Sequence, residues 1–98
     1  MTINKTQEGT ALTIALEGRL DTMTAPELEA ELTTALDSAD TLTFDFADLD
    51  YISSAGLRVL LSTHKRMAAK GGMKVIHVNE IVREVFDVTG FSDVLDIA

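Results

Sequence analysis

The chain contains no cysteine, which rules out a disulfide framework and a thiolate metal site and leaves nothing to suggest an oxidising compartment. It has no apolar stretch long enough to span a bilayer, and its start, MTINKTQEG, is polar and lacks the charged start followed by an apolar run of an export signal. A soluble cytoplasmic protein with no membrane insertion is expected. Basic residues are scarce: eight Lys and Arg face sixteen Asp and Glu, a formal charge of −8. That balance repels phosphate backbones, disfavours direct nucleic-acid binding and favours partners with a basic face, although an acidic surface serves solubility as well. No repeat, linker or low-complexity tract interrupts the 98 residues, and a hydrophobic content of 46% suffices for one domain over 1–98 with its own core.

Several chemical motifs are missing too. There is no GxSxG elbow, and KGGMK has neither the length nor the hydroxyl residue of a phosphate-binding loop, so it reads as a helix stop. Asp45, Asp48 and Asp50 cluster without the glycine and bidentate glutamate of a calcium loop. Loop solvation accounts for them, and neither a metal nor a cofactor is expected. The four methionines are scattered and form no binding stripe.

What is present alternates strand and helix patterns. Leu12, Ile14 and Leu16 recur with a period of two, and TINKTQ ahead of them pairs through a turn at Glu8 and Gly9 into an antiparallel opening hairpin. Thr24 with Glu27 reads as a capping box, and Ala25, Leu28, Leu32, Ala35 and Leu36 place a helix up to about Asp37. TLTFDF is a third strand, followed by the loop ADLDYISS. A second helix begins at the paired serines, with Leu57, Leu60, Leu61, His64, Met67 and Ala68 on its apolar stripe and Gly71 and Gly72 at its end. MKVIHV follows as a strand buried on both faces, then EIVREVFDVTG as a third helix with Ile81, Val82, Val85 and Phe86 inward, then a last strand around DVLDI. The order implies an α/β domain with right-handed crossovers, whose ligands and partners meet the loops at the carboxyl ends of the strands.

Ser53 and Ser54 lie at that edge. A helix N-cap alone justifies either of them, contributing about 0.5 to 2 kcal/mol through the free backbone N–H groups. The same N–H groups would also accommodate a phosphate on a serine, a change of roughly −1.5 to −2 charges. Gly56, just inside the helix, costs about 1 kcal/mol relative to Ala, which makes sense if another backbone approaches closely. A hydrolase built on Ser54 would need a histidine base. His64 is about 15 Å further along the helix axis and reads as a partly buried packing residue, while His77 sits on a strand expected to be buried.

The blocks EGRLDTMTAPELEAEL, DYISSAGLRVLLSTHKRM and VREVFDVTGF, in this order across nearly the whole chain, resemble the anti-sigma factor antagonist family, the small single-domain members of the STAS superfamily. The resemblance implies a STAS-like α/β fold with a mixed sheet of four to five strands, an N-terminal antiparallel pair and three to four helices. It also implies a binding switch and not an enzyme. In the family the unphosphorylated antagonist sequesters an anti-sigma factor that is itself a GHKL-type serine kinase, which frees the sigma factor. Phosphorylation at the start of the second helix weakens the complex, and a serine phosphatase resets it.

Family members show Asp, Ser, Ser or Thr, Gly, Leu where this chain has Ser53, Ser54, Ala55, Gly56, Leu57. Ser54 keeps a hydroxyl position and is the first choice of phosphoacceptor, with Ser53, at the family's aspartate, as second. Asp21, Ser53, Ser54, Ala55, Gly56 and Arg58 make up the partner-binding set that the resemblance implies. The missing hydroxyl at Ala55 leaves open a member that binds without phosphorylation. A STAS subunit docking on a transporter ATPase is the alternative within the fold, and a small serine hydrolase the alternative outside this class.

Overall fold

The computed structural model describes residues 1–98. Thr2–Glu8 (β1) and Ala11–Leu20 (β2) form the opening hairpin, with Thr2 opposite Glu17 and Glu8 opposite Ala11. Ala25–Ala35 (α1) passes through a short 3-10 turn at Leu36–Ser38 into Thr41–Ile52 (β3). Ser54–Ala68 (α2), Met73–Ile76 (β4) and Glu80–Thr89 (α3) follow, and a second 3-10 turn at Phe91–Asp93 leads to Asp96–Ile97 (β5). The strands lie in the order β1-β2-β3-β4-β5, antiparallel at the first pair and parallel thereafter. This is the expected mixed α/β sheet, with five strands and three helices.

Because β2 to β5 add to the sheet in one direction, right-handed crossovers bring all three helices to the same face. The burial pattern follows. Leu12, Ile14 and Leu16 of β2, Leu42, Phe44 and Phe46 of β3, and Met73 and Val75 of β4 are buried, with the Phe44 and Phe46 rings 5.7 Å apart. Their pleat neighbours Thr13, Thr43, Asp45 and Ile76 are half-buried and Lys74 is exposed, so the opposite face is open. On β1 the core-facing positions are mostly polar and close the sheet edge against the first helix and its end: Lys5 pairs with Glu31, and the Gln7 amide donates to the Ser38 carbonyl at 2.9 Å.

Four details depart from the sequence reading. β4 is buried on one face only, since no helix crosses behind it. It stops at Ile76 because His77 takes a left-handed conformation, φ 59°. ADLDYI is strand and not loop: β3 continues to Ile52, but its register against β2 shifts between Ala15 and Glu17 and again between Gly18 and Arg19. Each shift places an extra residue on β3, so the buried positions run Phe46, Leu49, Ile52 at a spacing of three, and the period-two signal is lost. On α2 the buried set is Gly56, Leu57, Val59, Leu60, Thr63 and Met67, whereas Leu61 and His64 are half-buried and Ala68 is exposed. Facing both the sheet and α1 turns the helix toward Val59 and Thr63. On α3, Val82 and Phe86 point inward, and Ile81, about 100° away from Val82 around the helix, is 59% exposed.

The rotated phase of α2 has a measurable consequence. Leu60→Ala, at a fully buried side chain, is expected to cost about 2–5 kcal/mol, and Leu61→Ala only about 1 kcal/mol. Urea unfolding of the two variants checks this, and equal losses would contradict the observed phase.

Candidate functional site

Leu20 and Ile52 are register partners and the last residues of β2 and β3. Asp21 and Ser53 are therefore the first residues beyond the sheet on strands about 4.8 Å apart, and the Ser53 N–H donates to the Leu20 carbonyl at 2.9 Å. The turn before α1 and the start of α2 are thus fixed to one another by the sheet itself.

Ser53 is half-buried, has extended backbone (ψ 175°) and caps α2, its hydroxyl accepting from the Gly56 N–H at 3.5 Å. Ser54 is the first helical residue and is exposed, while Ala55 is half-buried and Arg58 exposed. Gly56 explains why the helix starts so close to the sheet. A Cβ built there would lie 2.7 Å from Leu20 Cγ and 2.9 Å from Ile52 Cγ1. The close approach expected at Gly56 is real, but it is made by two strand side chains and not by a backbone.

Asp21 is half-buried and organises its own turn. Its Oδ1 accepts from the N–H groups of Met23 at 3.0 Å and Thr24 at 3.1 Å, and the Thr24 hydroxyl accepts from the Asp21 N–H at 2.8 Å. The capping box read at Thr24 and Glu27 does not form, because the Thr24 side chain is engaged upstream and makes no cap bond. An aspartate three residues before a threonine was the overlooked signal. The Thr24 backbone N–H above all, helped by the Met23 N–H, the Thr24 hydroxyl and Arg19, holds the Asp21 carboxyl below the ordinary 3.8 against a desolvation that opposes it. The Arg19 guanidinium also stacks 4.5 Å from the Tyr51 ring centre. Met23, 82% exposed in this turn, is a large apolar side chain at the surface that periodicity did not single out.

Between α1 and α2 a groove of about 450 Å³ opens beside the serines, with Pro26 and Glu29 on one wall and Ala55, Arg58 and Ser62 on the other. It continues into a smaller recess of about 190 Å³ that ends at Arg66.

The histidines lie elsewhere. His77 Nδ1 is 2.9 Å from Asp45 Oδ1, and this bond, followed by the Ala47 N–H, pulls the Asp45 carboxyl below 3.8. Asp45 is seven residues of strand before Ile52, so this pair is about 20 Å from the serines. His64 is on α2, half-buried, with Nδ1 unpaired. Neither histidine can act as a base for Ser54. No group of three or more Asp, Glu or His side chains converges closely enough to hold a metal ion, and no helix is long and apolar enough to cross a membrane.

A one-sided α/β sheet whose strand ends present a capped, serine-bearing helix beside an aspartate-organised turn defines a compact class of domain. The STAS domain profile matches residues 2–98, and the chain belongs to the STAS domain family. It is 37% identical over 89 residues, 89% of this chain and 77% of the relative, to BtrV of Bordetella bronchiseptica, which carries the name of an anti-sigma factor antagonist. It is 30% identical over 86 residues, 87% of this chain and 79% of the relative, to the anti-sigma-B factor antagonist of Bacillus subtilis. Among solved structures, the anti-sigma factor antagonist SpoIIAA in its unphosphorylated form superposes with a TM-score of 0.84 at 22% identity, covering 99% of this chain and 88% of that one. The phosphorylated form of Bacillus SpoIIAA superposes at 0.76 with 21% identity, covering 99% and 91%.

Two predictions come from this geometry. Gly56→Ala is expected to destabilise by about 1–3 kcal/mol through overpacking, despite a gain of about 1 kcal/mol in helix propensity; a stabilised variant in chemical denaturation would contradict the contact. Asp21 and Asp45 both have lowered folded pKa values. Their contribution is therefore complete above the ordinary carboxylate value and is lost as pH falls through the lowered ones. Asp21→Asn should show a shallower acid limb below about pH 4 by circular dichroism, and an unchanged limb would show that the turn does not use the charge.

Proposed function

We propose that this chain is an anti-sigma factor antagonist. It acts as one domain over 1–98 in the cytoplasm, is a ligand and substrate and not an enzyme, and binds an anti-sigma factor that is also a GHKL-type serine kinase. The observation that carries the reading is the exposed Ser54 at the first residue of α2, level with the Asp21 turn. Two relatives at 30% identity or more bear antagonist names. Phosphorylation of SpoIIAA provides the analogy for modification here.

Ser54, which is exposed, is the preferred acceptor over Ser53, a half-buried residue whose hydroxyl accepts the capping bond from the Gly56 N–H. Asp21, through its turn, and Ser53, Ser54, Ala55, Gly56 and Arg58 form the face that the partner covers. Transfer forms a bond from Ser54 Oγ to the γ-phosphorus of ATP, breaks the bridging bond that releases ADP, and gives the hydroxyl proton to a base on the kinase. A serine phosphatase reverses the modification with water, releasing inorganic phosphate. The added charge of roughly −1.5 to −2 meets an interface shaped for a neutral hydroxyl, and binding weakens.

Ala55 supports a second reading, a module that binds its partner without modification, since one of the family's two hydroxyl positions is absent. Incubation with the cognate kinase and ATP separates the two. The expected result by intact-mass measurement is one phosphate on the native chain, one on Ser53→Ala and none on Ser54→Ala, with weaker partner binding after modification. No phosphate on any chain with an active kinase would leave the unmodified module standing in place of the switch.

A further inference from the structure

The charge of this chain is not evenly spread. α2 carries Arg58, Lys65 and Arg66, three of the eight Lys and Arg, and no acidic residue, whereas α1 carries Glu27, Glu29 and Glu31 and no basic one. Arg66 is held by Asp37 at 2.6 Å across the groove. Arg58 forms no ion pair, although Glu29 lines the same groove. A free guanidinium therefore stands one helical turn after an exposed serine.

We infer that Arg58 is the intramolecular receptor for a phosphate on Ser54. Residues four apart on a helix have Cβ atoms roughly 5–6 Å apart, and helical side chains lean toward the N-terminus, so Arg58 tilts back over Ser54. A guanidinium presents a planar fork that fits two phosphate oxygens at once, and here it has no partner to leave. Lys65 lies eleven residues beyond Ser54, about 16 Å along the axis, and is out of reach. The inference rests on the reading that Ser54 is modified and adds how the modification is read. Phosphorylation alters two charges on the partner-facing crest, adding a dianion at Ser54 and withdrawing the cation at Arg58. A partner that uses the guanidinium through an acidic group loses that contact as it meets the phosphate.

The test installs phosphoserine at position 54 during synthesis, so its outcome is independent of any kinase. A failure overturns the role of Arg58 without touching the assignment of the acceptor. Phosphorus NMR follows the second ionisation of the phosphate. The expected midpoint in the native chain is a few tenths of a pH unit lower than in Arg58→Gln, with Arg58→Lys between them. The difference should largely vanish in about 1 M salt, where the screening length is about 3 Å. Arg58 is exposed, so both variants are expected to retain the native circular dichroism spectrum. Equal midpoints in the native chain and Arg58→Gln would overturn the pair. So would a Lys65→Gln variant that moves the midpoint as far as Arg58→Gln, because that would be the general field of a basic helix.

Discussion

The contact between Gly56 and the paired ends of β2 and β3 governs the geometry of the site. Leu20 and Ile52, both buried and in register, leave room above them for a helix only where no Cβ is present. That single allowance lets α2 begin immediately after the sheet, puts Ser53 at the cap and Ser54 at the first exposed position, and holds Asp21 on the adjacent strand end. Because the two loops hang from one rung of the ladder, they cannot shift independently without disturbing the core. A surface made in this way is preorganised, and on the proposed reading ordering it for association costs little.

Charge supplies a second layer that net counts conceal. An overall charge of −8 suggested partners with a basic face, yet the helix that begins at the serines is basic along its exposed side and stands beside an acidic helix. The groove between them has the Glu29 carboxylate on one wall and the guanidinium groups of Arg58 and Arg66 on the other. The field beside the serines is therefore a local dipole rather than a uniform acidic one, and orientation, more than attraction, is what such a pattern controls.

Much of this was legible in the sequence, and the losses have identifiable physical causes. The order of elements, the antiparallel opening pair and the start of α2 at the serines could be read because period and caps agreed locally. The second half of β3 could not, since two register shifts convert a period of two into a spacing of three. The missing second helical layer was hidden because Val75, Ile76 and Val78 read as a nearly continuous apolar run, which outweighed Lys74, the one exposed polar residue of β4 on the open face. The phase of α2 depends on α1, a contact that periodicity within one segment does not contain. At the site, position was readable and chemistry less so: the turn of Asp21 with Thr24 borrows residues usually assigned to a helix cap, and the isolation of Arg58 emerges only when every neighbouring carboxylate has been placed.

The uncovered face of the sheet bears on how such a domain changes over time. All of its packing lies under the helices, so every second residue of β2, β4 and the first half of β3 is tied to the core and the alternate ones are not. Thr13, Thr43 and Lys74 can be exchanged for other strand-forming residues with little penalty, while their immediate neighbours cannot. The fold thus carries two surfaces under separate constraints, a packed one that holds the serine helix in place and an open one where a change of side chain leaves the first undisturbed.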